Sequence, residues 1–243
     1  MSLFSPPPWV FPTISASTWL GELFQLSTVA VGIDLTAGFS NAAGYAWALD
    51  HDRFISDIGA QELKPLFMIG CITTVLLLNL SFYQFIQNKG YVNKLCTHAS
   101  FFFTVLGSTG LILLSVFDNI DHHMTHDVFV TIFIVGYLIS AALMCLDYVH
   151  LGISHALREP MIFTSFVIKL SFIIVELSLV IVFRVTEAIH YNQNNMAATL
   201  EWVIAFVFTG YILSFIVDLL PSTQKQLHAE KGYEQLEMGM AHP

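Results

Sequence analysis

Three sets of residues in this 243-residue chain have types and spacings that could do chemistry. The densest is the segment DNIDHHMTHD, in which Asp118, His122 and His126 recur every four residues. On a helix that period lines side chains along one stripe. A carboxylate and two imidazoles so placed are ligands for zinc or a similar ion. They are also groups that titrate together near neutral pH. The plainer reading is a polar connection in which Asp118 ends one helix and Asp or His side chains cap the next.

Lys169 and Glu176 form the second set, inside an apolar run. A charge near the bilayer midplane costs about 2.5–3.5 kcal/mol on insertion scales. Seven residues apart, the two share a helix face but are separated by roughly 10 Å of rise. Each is therefore expected to find a partner on another helix or to reach toward its nearer interface. Glu22, in the first apolar run, is the expected partner of Lys169. Two roles are open: a polar path or lipid-headgroup groove through the bundle, or a buried pair that fixes packing. The third set, Glu201 and Trp202, opens the last apolar run. An acid in a first turn complements the helix dipole, and an interfacial Trp anchors a span at the headgroups. Asp147 and Asp218 are expected at the other ends of their helices, facing water.

These residues need a scaffold, and composition says which kind. Hydrophobic residues make up 55% of the chain and charged residues 11%, with 21 Phe and a mean hydropathy of +0.68. A soluble domain carries about 25% charged residues. A soluble enzyme and a disordered chain are thereby excluded. A net charge of −9 without a basic stripe excludes a nucleic-acid partner. Cys71, Cys96 and Cys145 are too few and too scattered for a disulfide framework or a zinc ribbon. The sequence has no HExxH, CxxC, phosphate-binding loop or nucleophile elbow.

What remains is a polytopic membrane protein. Six apolar runs, at about 9–33, 65–87, 99–117, 128–148, 161–183 and 199–220, are long enough to cross a bilayer. They must be helices, because lone strands cannot satisfy their backbone in lipid. The expected fold class is all-α, a six-transmembrane-helix bundle over residues 1–220, followed by a short, disordered cytosolic tail at 221–243. Lys89, Lys94, Arg158, Lys225 and Lys231 on one side, against Arg53, Lys64 and Arg184 on the other, place both termini in the cytosol. Asp57, Asp118, His122, His126 and Glu201 then gather at the opposite face. Gly107, Ser108 and Gly110 suit a close approach of helices.

Several phrases, taken in order, resemble one family. They are WVFP near the start, FISDIGAQELKPLFMIG entering the second span and GLILLSVFDNIDHHMTH ending the third. KLSFIIVELSLVIVF in the fifth and NMAATLEWVIAFVFTGYILSFIVDLLP in the sixth complete the set. Over Trp9–Pro221 the chain resembles the Frag/DRAM/Sfk family of six-span membrane proteins, most of all its fungal Sfk-type branch. The resemblance places the family's motif positions on Phe117, Asp118, His122 and His126, on Glu201 and Trp202, on Ser56, Asp57, Gly59 and Ala60, and on Lys169 and Glu176.

The resemblance implies a non-enzymatic plasma-membrane protein. Sfk-type members support recruitment of a phosphatidylinositol 4-kinase and influence phospholipid asymmetry and sterol retention. Membrane lipids, with such a kinase complex, are the implied partners, and no cofactor is implied. Two alternatives stay open. One is a membrane-embedded lipid hydrolase or acyl-transfer enzyme, with zinc on Asp118, His122 and His126 and water activated by Glu201 or Asp57. The other is a DRAM-like autophagy modulator of the vacuole or lysosome.

Overall fold

A computed structural model describes residues 7–37, 54–59, 63–88, 94–118, 121–150, 160–189 and 194–240. Arg53, Ala60, Lys89, Arg158 and His190 lie outside the described residues, as do the side chains of Asp57, Lys225 and Lys231.

Among the described residues all regular structure is helical. The elements are α1 (Val10–Ala37), α2 (Ile55–Ile58), α3 (Lys64–Asn88), α4 (Lys94–Val116), α5 (His123–His150), α6 (Pro160–Ile189) and α7 (Asn194–Met240). Each apolar run of the sequence falls on one of the six long helices. Three of these helices, α4, α5 and α7, begin several residues before the run they carry. Apolar composition marks only the part that lipid must solvate, while backbone hydrogen bonding carries a helix on through the interface. Five of them, α3 to α7, contain stretches long and apolar enough to cross a membrane. The chain is a polytopic helical membrane bundle. The remaining long helix, α1, carries Ser15, Thr18, Glu22 and Gln25 along its length and packs against α3 and α7.

Consecutive long helices from α3 onward pack against each other, and α7 also touches α1 and α3. One end of the bundle, here the upper end, gathers the start of α3, the close of α4, the start of α5, the close of α6 and the start of α7. The lower end gathers the opposite termini.

The tightest contact is between α4 and α5. A Cβ on Gly136 would stand 2.7 Å from the Gly107 backbone, and one on Gly110 would stand 2.6 Å from Phe133 N. The two backbones thus touch where only glycine fits. Gly107 and Gly110 were legible as small-residue positions; Gly136, their counterpart on α5, was not singled out. Polar side chains bond across the same face. Ser140 Oγ lies 3.0 Å from Ser100 Oγ and 2.7 Å from Thr104 Oγ1. Ser108 Oγ lies 2.8 Å from Tyr137 OH, and Asn79 Nδ2 of α3 donates to Ser108 Oγ at 3.0 Å.

Aromatic residues of α7 at positions 208, 211 and 215 fill the middle of the bundle. Phe208 packs 4.9 Å from Tyr137 and 5.7 Å from Trp19, Tyr211 stacks 4.7 Å from Phe172, and Phe215 lies 5.3 Å from Phe82. Such pairs contribute about 0.5–1.5 kcal/mol each beyond the area they bury.

α7 runs without a break past Pro221 to Met240. The polar composition of residues 222–240 removes any hydrophobic reason to pack, but Gln, Lys, Glu, Leu and Ala are good helix formers and extend a helix already nucleated in the membrane.

Candidate functional site

The polar chemistry inside the bundle centres on Lys169 of α6, whose side chain is 0% exposed. A buried ammonium has three N–H donors to place, and all three find oxygen. Nζ donates to Asp218 Oδ2 at 2.5 Å, to Ser165 Oγ at 3.0 Å and to Ser214 Oγ at 3.1 Å. The Phe215 ring lies 5.0 Å away and presents a face to the charge. Asp218 is equally well served: its Oδ1 accepts from Tyr148 OH at 2.8 Å and from Ser165 Oγ. The network joins α5, α6 and α7 in the lower half of the bundle. Its parts follow from helix periodicity, since Ser165 and Lys169 are one turn apart on α6, as are Ser214 and Asp218 on α7.

Two expectations are corrected here. The partner of Lys169 is Asp218, not Glu22. Asp218 does not face water, because α7 turns it toward α6, where the Lys169 ammonium and the Tyr148 and Ser165 hydroxyls take the place of its hydration. Asp147, also expected in water, is 2% exposed and accepts from Thr97 Oγ1 of α4 at 3.2 Å. Both acids were read from their place near the ends of apolar runs, which gives depth but not which face of the helix they occupy.

Glu22 and Glu176 are buried but lie apart from that network. The Glu22 carboxyl packs into a notch over Gly70 on α3 and accepts from Cys71 Sγ at 3.6 Å. Glu176 lies two turns above Lys169 on the inner face of α6, and its Oε2 has no hydrogen-bond partner among the described residues. Lys169, Glu22 and Glu176 therefore make no contact with one another.

At the upper end the Asp118–His122–His126 spacing is broken as a stripe. α4 closes at Val116 and α5 opens at His123, so Asp118 and His122 belong to the connection. Backbone bonds from His122 N to Asp118 O (3.1 Å) and from His126 N to His122 O (2.9 Å) hold two tight turns, but the side chains diverge. Asp118 is buried and pairs with Lys64 Nζ at 2.6 Å, while its Oδ1 accepts from the Asp121 amide at 2.8 Å. Burial alone would raise its carboxyl; the hydrogen bond from Lys64, the Asp121 amide, the Lys64 charge and His122 outweigh that and hold it below its ordinary 3.8. His122 is exposed, edge-on to Phe117 at 5.6 Å. His126 is buried with Nδ1 at 3.1 Å from Leu114 O and 2.8 Å from Phe117 O. Carbonyls only accept, so Nδ1 carries the ring proton and closes the last turn of α4. Among the described residues no three His, Cys, Asp or Glu side chains converge as a metal site.

Glu201 lies two turns inside α7 rather than in its first turn, because the helix begins at Asn194. Its Oε2 accepts from Ile55 N at 2.8 Å and thereby caps α2, the short helix that carries Ser56 and Asp57. Trp202 is half-buried beside Phe206, with ring centroids 6.4 Å apart. A clamp missed by sequence reading joins α5 and α6 at this end: Arg184 pairs with Asp127 at 2.6 Å and donates to Thr131 Oγ1 at 2.9 Å. Of the residues expected at this face, Asp118 pairs with Lys64, Glu201 caps α2 and His126 closes the last turn of α4, while the side chain of Asp57 lies outside the described residues.

Comparison with known proteins identifies the family of the chain. The family model described as the Frag1/DRAM/Sfk1/Cwh43P N-terminal domain matches residues 7–222. Protein sfk1 of Schizosaccharomyces pombe is 26% identical over 178 residues, covering 70% of this chain and 53% of the relative. Protein SFK1 of Saccharomyces cerevisiae is 21% identical, covering 84% of this chain and 76% of the relative. The chain therefore spans about half the length of the first of these relatives and about three quarters of the second. No solved structure matches it. The matched segment contains Lys169, Glu176, Glu22, Asp118, His126, Glu201 and Asp218 alike. The chain belongs to the Frag1/DRAM/Sfk1/Cwh43P family.

Proposed function

We propose that this member of the family is a non-catalytic organiser of plasma-membrane lipid, with both termini in the cytosol, that supports recruitment of a phosphatidylinositol 4-kinase. Its membership and its similarity to the two fungal Sfk1 proteins support a membrane regulator. The observation that carries the finer reading is the Lys169–Asp218 network. It is a fully buried polar core in the lower half of the bundle, beside a helix, α6, whose outward residues Leu170, Ile174, Val175 and Leu177 are exposed for contact with lipid. On the charge rule that half lies in the cytosolic leaflet, and α7 continues from it as the helix that would meet a cytosolic partner.

The structure changes how this reading must be tested. Lys169→Leu alone would strand a buried Asp218, so a loss of function could reflect misfolding. The informative variant is Lys169→Leu with Asp218→Leu, which removes the charges together. The expected result is raised annexin staining of the outer leaflet, relative to wild type at equal surface expression, together with reduced membrane recruitment of the kinase. Staining and recruitment both equal to wild type in the folded double variant would refute the proposal.

A further inference from the structure

Two buried oxygens in the seam between α1 and α3 have no hydrogen-bond partner among the described residues: Glu22 Oε2 and Thr74 Oγ1. Glu22 is 5% exposed and Thr74 0%. The seam is built around them. A Cβ on Gly70 would lie 2.3 Å from Glu22 Oε2, so glycine is what lets the carboxyl enter. Oε1 is taken by Cys71 Sγ at 3.6 Å. One turn further along α3, the main-chain oxygen of Thr74 accepts from Ser15 Oγ at 2.8 Å, so positions 70 and 74 both lie against α1. Ser15 and Glu22 are seven residues apart on α1 and share its inner face.

Gly70 and Thr74 are one turn apart on the same face of α3, which brings the two orphaned groups to one seam. A water can accept from one and donate to the other, and two polar partners suffice to hold a buried water. The charge state follows from the surroundings. Lys64 on the same helix is committed to Asp118. A thiol is the only side-chain donor to Glu22 among the described residues. An ionised carboxylate in an apolar interior without a cation is far costlier than the neutral acid.

We propose that the α1–α3 seam is a water-binding site, in which the protonated carboxyl of Glu22 donates to one water and that water donates to Thr74 Oγ1. The bridge adds a polar bond between α1 and α3 beside the direct Ser15–Thr74 bond and the Trp19 Nε1–Ala205 O bond to α7. Proton and water are both ligands of the site: Glu22→Gln replaces the first with an amide N–H, and Thr74→Val removes the acceptor of the second.

Infrared difference spectroscopy of the full chain in lipid vesicles tests this. Wild type minus Glu22→Gln should show loss of a protonated-carboxyl carbonyl band; loss of a carboxylate band instead overturns the assigned proton. Wild type minus Thr74→Val should show that carbonyl band shifted, together with a water O–H band that moves on exchange into oxygen-18 water. An unshifted carbonyl, or no isotope-sensitive band, overturns the bridge. Thermal unfolding gives a second readout that survives if Glu22→Gln does not fold. Thr74→Val is isosteric and should lower the midpoint if Oγ1 is bridged. A midpoint equal to or above wild type means that Oγ1 was unpartnered, and overturns the site.

Discussion

The Lys169–Asp218 pair should behave as a coupled unit whose halves cannot be removed one at a time. Asp218→Leu leaves the Lys169 ammonium buried with only the Ser165 and Ser214 hydroxyls and the Phe215 ring. Lys169→Met leaves the Asp218 carboxylate with the Tyr148 and Ser165 hydroxyls. Breaking a buried ion pair from one side costs about 3–5 kcal/mol, whereas replacing both members with apolar residues of similar volume is often neutral or stabilising. The double variant should therefore lie within about 1 kcal/mol of wild type, and the coupling energy from the cycle should be at least about 5 kcal/mol. At roughly 2–4 °C per kcal/mol for a chain of this size, each single change should lower the unfolding midpoint by at least about 6 °C. The protein carries its own reporters, because Cys71 and Cys145 are free and buried. A thiol-reactive dye in detergent micelles reads their exposure on heating. If the double variant is as unstable as the two single losses added together, the network contributes no coupling and the reasoning from its geometry is wrong.

Gly110→Ala and Gly136→Ala drive a methyl into the backbone of the facing helix and should cost about 1–3 kcal/mol. Gly21→Ala and Gly210→Ala, where nothing lies within 4 Å, should leave the thermal midpoint unchanged or raise it. Asp118 has a depressed folded-state value, so its contribution is complete above the unfolded carboxyl value of about 3.9 and is lost as pH falls through the lower folded value. An acid-unfolding series should show that loss in wild type, while Asp118→Asn should start less stable and lack that step. His126→Ala frees the carbonyls of Leu114 and Phe117 and should cost about 1–3 kcal/mol, measured by amide exchange at the close of α4.

The helices were legible because lipid imposes one rule along the whole chain: apolar stretches must be long and helical. The burial of Lys169 and the value of Gly107 and Gly110 were legible for the same reason, since charge and small residues stand out against an oily background. Which residue meets Lys169 was not. Asp218 lies 49 positions away in sequence, and its partnership depends on the rotation of α7 relative to α6, which periodicity within one helix does not determine. The i, i+4 pairs Ser165–Lys169 and Ser214–Asp218 were visible and could have suggested it. The His-rich segment misled for the opposite reason. Its four-residue period assumed a continuous helix, and the chain breaks between Val116 and His123. A stripe on paper became a turn with its side chains sent three ways.

The fastening of α6 has a mechanical consequence. The helix is pinned near its foot by Lys169 to α7 and near its crown by Arg184 to α5, fifteen residues or about 22 Å apart. The lower pin is dry and strong; the upper is wetted, and such a bond is worth about 0–1 kcal/mol. Spinning the rod about its axis would strain both pins at once, whereas swinging its crown outward from α5 releases only the feeble one. Any yielding of this element should therefore begin at the crown and pivot on Lys169.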